Sequence, residues 1–195
     1  TALTATLVVA ALANITAAAL VALLAIALDY AFVGSLLVGL ATALTGLAFA
    51  GVASLTAQLS EFSRSATGMA GTVLGVAFVL RALGDMIAVG GSALSWASPL
   101  GWAAQTAPYV ENRWGPLFLL AGFAAVTIAA AFVLQRRRDF GASLLPPRPG
   151  PACAAPSLGH PLGLAFRLQR GGLFGWGTAI LTLGVINGLF TQAML

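Results

Sequence analysis

The chain contains no lysine, one cysteine, one histidine and only five acidic residues among its 195 positions. Charged residues of both signs amount to 7%, against about a quarter in an average soluble domain. That is too little charge to solvate a globular surface of this size. The scarcity excludes an ordinary soluble enzyme and a disordered tail. The single Cys153 excludes an intramolecular disulfide and a multi-cysteine metal site, and the single His160 excludes a histidine cluster. With 59% hydrophobic residues, a multi-span membrane protein is the class that remains. The calculated pI near 10.7 is no sign of nucleic-acid binding. The nine arginines stand between apolar runs, not on one solvated face. Neither a nucleic-acid partner nor a cofactor is expected.

A membrane helix needs about 20 apolar residues. Uncharged runs occupy residues 1–28, 31–60, 65–80, 86–110, 114–135 and 171–195. The run 86–110 is broken by Gly90-Gly91, Pro99, Gly101 and Pro108, which no straight helix tolerates. It reads as short helices at, or dipping into, the interface, packed on protein or reaching water so that no backbone amide is left unpaired in lipid. The fold class expected is therefore all-α: a transmembrane helical bundle of about five spans, four before a polar linker and one after it. No basic segment precedes the first run, so no cleavable signal peptide is visible. The chain lacks an initiator methionine and stops inside an apolar run, and is expected to be a fragment of a longer membrane protein.

Orientation follows from the positive-inside bias. If the Arg136-Arg137-Arg138 side is cytoplasmic, Arg64, Arg148, Arg167 and Arg170 join it, seven arginines against Glu61 and Asp139. Arg81 and Arg113 then lie outside with Asp29, Asp85 and Glu111. The opposite topology inverts a seven-to-two bias. Residue 1 and residues 136–170 are thus expected in the cytoplasm, in a multi-pass protein of a bacterial plasma membrane. Trp96, Trp102, Tyr109 and Trp114 cluster in the outer loop, where amphipathic rings suit the headgroup region.

Prolines at 146, 147, 149, 151, 156 and 161 make residues 136–160 a stiff, extended linker. In the segment that follows, Leu162, Phe166 and Gln169 share one helical stripe, and Arg167 and Arg170 another. This is the pattern of a short elbow helix, apolar toward lipid and basic toward anionic headgroups, that turns into a span at Gly171.

Few residues could carry chemistry. Arg81 and Asp85, spaced i, i+4, form either an outer gate or a structural pair in the headgroup region. Asp29 fits a tight outer turn better than a cation site. Glu61 and Arg64 either touch a cytoplasmic partner or lie in a solvated loop. Arg136, Arg137 and Arg138 are topology determinants, and Arg167 and Arg170 headgroup contacts. The spacings Gly71/Gly75, Gly171/Gly175 and Gly184/Gly188 suit close helix packing. The run from Gly68 to Gly75 lacks the lysine of a phosphate loop. Ser95, Ser98 and His160 cannot form a hydrolase triad, since the serines and the histidine fall on opposite sides of the membrane. No catalytic residue, metal site or cofactor site is expected.

Three stretches carry a family resemblance. They are Ser95-Trp96-Ala97-Ser98-Pro99-Leu100-Gly101-Trp102 through Pro108-Tyr109-Val110-Glu111-Asn112-Arg113-Trp114; Arg137-Arg138-Asp139-Phe140-Gly141-Ala142 with Leu144-Leu145-Pro146-Pro147-Arg148-Pro149; and Pro161 through Gly171. Together they resemble the membrane permeases of bacterial ABC exporters of the polyketide-antibiotic (tetronasin-type) family, most strongly over residues 58–176. The resemblance implies a permease of two multi-span halves, driven by a cytoplasmic ABC ATPase dimer and moving hydrophobic small molecules through the lipid bilayer. Residues 1–135 would hold the last four spans of the first half, with 86–113 as its extracellular re-entrant segment. Residues 161–195 would hold the elbow helix and first span of the second half. The classes left in competition are an ion-coupled secondary transporter and a membrane scaffold without transport activity.

Overall fold

Long apolar runs without proline can satisfy their own backbone only as helices, and helices are what form. The computed structural model describes residues 2–60, 62–88, 90–137, 153 and 159–193, apart from the side chains of 186 and 189–193. A first unit, residues 1–146, holds α1 (Ala2–Ala27), α2 (Phe32–Leu59), α3 (Ser63–Ile87), a short 3-10 helix (Ser95–Ala97), α4 (Pro99–Gln105) and α5 (Gly115–Arg137). A second unit, residues 147–195, holds α6 (Pro161–Ala193). Among the described residues no strand occurs, and α1, α2, α3 and α5 are long and apolar enough to cross a membrane. The all-α expectation stands.

The third span is longer than its uncharged run. The helix α3 continues through Arg81 and Asp85 to Ile87, because charges paired at i, i+4 do not interrupt a helix. Gly90 (φ 87°) and Gly91 (φ 95°) then reverse the chain in a left-handed conformation that a Cβ would resist. The broken stretch after them forms the short helices that its prolines and glycines implied.

Helix α2 is the centre of the first unit. It packs against α1 and α5, touches α3, and meets α4 at one end. Its glycines make this possible. A Cβ on Gly39 would stand 2.9 Å from the Ala18 carbonyl oxygen of α1, and one on Gly46 would fall on the Asn14 side chain. Gly39 and Gly46 are seven apart and so share a stripe, which lets the α1 backbone approach closely. On another face, Gly51 admits Thr127 of α5, and Leu37 and Ala41 form a core with Leu117 and Leu120. The two contacts follow in the same order along both helices, so α2 and α5 run parallel.

The Gly71/Gly75 spacing singled out in the sequence is not the one that packs in the first unit. Cβ atoms at Gly71 and Gly75 would meet open space. The inner face of α3 is instead marked by Ala66, Ala77 and Gly84. Spacing alone could not distinguish the outward stripe from the inward one. The expected turn between elbow helix and span is also missing from α6, which runs unbroken through Gly171-Gly172. Glycines weaken a helix without ending it, and the Phe166 and Phe174 rings meet edge-on across them with centroids 6.5 Å apart.

Polar side chains within the spans return their hydrogens to their own helix. Thr16, Thr42, Thr72 and Asn14 each donate to the carbonyl four residues back, at 2.8 Å. Among the described residues, the Thr45 hydroxyl is the buried side-chain group without a partner.

Replacing Gly39 by leucine is expected to push α1 off α2. Because the obstacle is a main-chain carbonyl, the cost in an equilibrium unfolding titration should be about 1–3 kcal/mol. Gly46→Ala should cost less, since Asn14 can rotate aside.

Candidate functional site

The charged residues of the first unit divide between its two ends. Arg64, at the start of α3, and Arg136 and Arg137, in the last turn of α5, lie exposed at one end. There the two α5 arginines also complement the partial negative charge of a helix C-terminus. Asp29, Arg81, Asp85, Glu111 and Arg113 lie toward the other end, in the α1–α2 turn, the last turns of α3 and the approach to α5. Glu61 and Arg138 lie outside the described residues. Arg167 and Arg170 are exposed on the first turns of α6, within the second unit.

The acidic end is closed by the folded segment 90–114, and Ser95 is its hub. Asp85 Oδ2 accepts from Arg81 Nε at 3.3 Å, while its Oδ1 accepts from the Ser95 hydroxyl at 3.1 Å. Ser95 is fully buried. Its backbone fits between Gly84 and Gly101, where a Cβ at either glycine would strike it. Ser98 occupies the position before Pro99 that usually caps a helix, yet its hydroxyl donates to the Ala77 carbonyl of α3 at 2.6 Å. The Gln105 amide donates to the Gly90 carbonyl at 2.7 Å. Three side-chain bonds thus fasten the short helices to α3 and to its exit turn. A segment that cannot form a long helix has its polar groups satisfied by protein instead of lipid.

The aromatic residues of this end divide into two groups. Trp102 is held inside, its indole N–H on the Trp96 carbonyl and its ring edge-on to Phe123 at 5.9 Å. Trp96 and Trp114 stay partly exposed, as rings in a headgroup layer do. Tyr109 lies over Gly34, its hydroxyl 3.3 Å from Ser35 Oγ and its ring 5.1 Å from that of Tyr30. Glu111 and Arg113 form a second, exposed ion pair beside it.

Of the residues singled out in the sequence, the structure brings Arg81 and Asp85 together as an ion pair. It also places Asp29 in a tight turn (φ 62°). The sequence reading missed Ser95 as the second ligand of Asp85, and the Tyr109–Gly34 contact. A serine ten residues beyond Asp85, across a reversing turn, follows no helical period. The one available clue was the density of Gly, Ser and Pro from 90 to 101.

Two comparisons with known proteins bear on this chain. The family profile described as "Multidrug efflux system permease Rv1217c, C-terminal domain" matches residues 158–195. The multidrug efflux system permease protein Rv1217c of Mycobacterium tuberculosis (strain ATCC 25618 / H37Rv) is 45% identical over 136 residues. That match covers 70% of this chain and 24% of the relative, so the chain spans about a quarter of the relative's length.

The hub has an unequal set of dependences. Asp85→Ala leaves the buried Ser95 hydroxyl without its acceptor, a loss of about 1–3 kcal/mol. Arg81→Gln removes a partly exposed pair worth about 1 kcal/mol or less. Amide hydrogen exchange over residues 91–105 should therefore accelerate by about tenfold in Asp85→Ala. It should change little in Arg81→Gln. Equal acceleration in both would show that the ion pair, not Ser95, secures the segment.

Proposed function

We propose that this chain is part of the membrane-spanning permease of an ATP-driven ABC exporter, which moves hydrophobic or amphipathic compounds such as polyketide antibiotics out of a bacterial cell. The observation that carries the reading is the 45% identity to a multidrug efflux permease over 136 residues. The charge distribution supports it. Ionisable side chains of the four long helices in the first unit stand in their terminal turns, not at mid-span. Coupling to protons or sodium ordinarily uses ionisable groups or unwound helices near the midplane. An apolar mid-span suits apolar cargo and leaves the driving energy to a separate subunit.

On this reading residues 1–135 close a first transmembrane half, 136–160 link the halves in the cytoplasm, and 161–195 open the second. The family profile for a C-terminal domain begins at residue 158, just before α6, which supports a division there. The arginine end of the first unit faces the cytoplasm by the positive-inside rule. Arg64, with Glu61 three residues before it in the sequence, would contact a cytoplasmic ATPase dimer. Arg167 and Arg170 contact anionic headgroups, and the segment 86–113 caps the outer face. ATP binding by the partner would shift the full-length permease between two states with opposite access.

The test is purification of the full-length protein from its native membrane in mild detergent, with mass spectrometry of what accompanies it. A soluble ATPase at stoichiometric amount, together with drug efflux that fails when its ATP site is inactivated, is the expected outcome. Efflux that survives without the ATPase and collapses with an ionophore would replace this reading with ion coupling.

A further inference from the structure

Among the described residues, four non-glycines have left-handed backbone: Asp29 (φ 62°), Ala107 (φ 42°), Tyr109 (φ 66°) and Asn112 (φ 51°). All four belong to the α1–α2 turn or to the strap between α4 and α5, two segments that touch each other. Asp and Asn adopt this conformation at small cost, because their side chains bond locally. Asn112 does so, its Oδ1 accepting the Tyr109 N–H at 3.0 Å. Ala107 is held by the turn itself, its carbonyl accepting the N–H groups of Val110, Glu111 and Asn112 at 3.3, 3.1 and 3.0 Å. The phenol of Tyr109 offers its own backbone no such bond. Strain of this kind persists only where surrounding contacts impose it, and it gathers at segments that switch.

The contacts between the strap and the α1–α2 hairpin centre on Tyr109. Its ring fills the gap over Gly34, where any Cβ would collide with it. The Tyr30 ring covers it at 5.1 Å with a 47° tilt, and the Ser35 hydroxyl meets its hydroxyl at 3.3 Å. Beneath it Ser35 is fully buried, although Tyr30 and Tyr109 are themselves partly exposed. Helix α2 begins at this point, so the strap is fastened to the end of the central helix.

We infer that Tyr109 is a strained latch. Ring packing on Gly34 and Tyr30 holds the strap closed, and the left-handed backbone of Tyr109 opposes it. The closed state is thereby poised within reach of an open one in which the ring leaves and Gly34 and Ser35 are uncovered. Opening separates the strap from the α1–α2 hairpin at the end opposite the arginines. Its role as an exit gate rests on the exporter reading; the opening itself does not.

A thiol at Ser35 reports the open state. The experiment uses the full-length protein with its native cysteines, Cys153 included, replaced by serine and Ser35→Cys added. A membrane-impermeant maleimide is applied to intact cells and to inverted vesicles, so that either orientation is read. Labelling is expected to be slow in this parent and about tenfold or more faster with Tyr109→Ala, which removes the ring packing. With Ala107→Gly it should change little, because the left-handed conformation there belongs to the turn within the strap and not to the ring contact. If Tyr109→Ala does not fold, Tyr109→Phe keeps the ring and loses only the hydroxyl contact, and should label at an intermediate rate. Equal rates in the parent and the Tyr109 variant would overturn the latch. Rates in the expected order that ignore nucleotide in the assembled complex keep the latch and count against the exporter reading instead.

Discussion

Hydrocarbon offers no hydrogen-bond partner, and the first unit is arranged around that fact. A backbone amide left unpaired in lipid costs several kcal/mol. Four segments meet the constraint by being long helices. The segment 90–114 cannot, because Gly90, Gly91, Pro99 and Pro108 break it. It meets the same constraint by folding on protein, through Ser95 on Asp85, Ser98 on the Ala77 carbonyl and Gln105 on the Gly90 carbonyl. The polar residues of this end therefore act as substitutes for helical bonding as well as for solvation. This also explains why Ser98 forgoes its usual capping bond.

Packing obeys a second consequence of the same solvent. Lipid tails are as apolar as leucine, so burying leucine against another helix gains little over burying it in lipid. Close backbone approach is what remains to hold helices together. The glycines of α2 supply it on two faces, Gly39 and Gly46 toward α1 and Gly51 toward α5. Large apolar side chains of α1 stay on the outside, Val9 and Leu23 among them. In water such a surface would drive aggregation; in a bilayer it is the solvated surface.

What was legible in the sequence follows from which patterns are local. In the first unit, uninterrupted apolar runs became long helices whose ends fall within a few residues of the run boundaries, except where paired charges let α3 continue. The Arg81–Asp85 pair was readable because i, i+4 is a local period. The division of charge between the two ends of the first unit was readable because Arg64, Arg81, Arg113, Arg136 and Arg137 each sit beside an apolar run. Nonlocal contacts were not. Gly34 is one glycine among 23, and nothing near it signals that a tyrosine 75 positions later will occupy it. The Gly71/Gly75 spacing had the form of a packing motif, yet it faces outward in this unit. A spacing fixes which residues share a face, never which face is covered.

The two fastenings at the acidic end differ in kind, and the difference bears on what each can do. At the hub, Ser95 is fully buried and hydrogen-bonded to a partly exposed Asp85, and its short helices contain no strained non-glycine residue among those described. Opening it would expose several unpaired groups at once, so it acts as a fixed joint between α3 and the short helices. The Tyr109 contact is aromatic, partly exposed and flanked by backbone held in a costly conformation. Releasing it forfeits one ring's packing and recovers strain. On the exporter reading, a bundle end that seals in one state and parts in another needs both: a joint that keeps its segment folded and a contact weak enough to break. The division places any movement between the strap and the α1–α2 hairpin, and leaves α3 with its short helices to move as one piece.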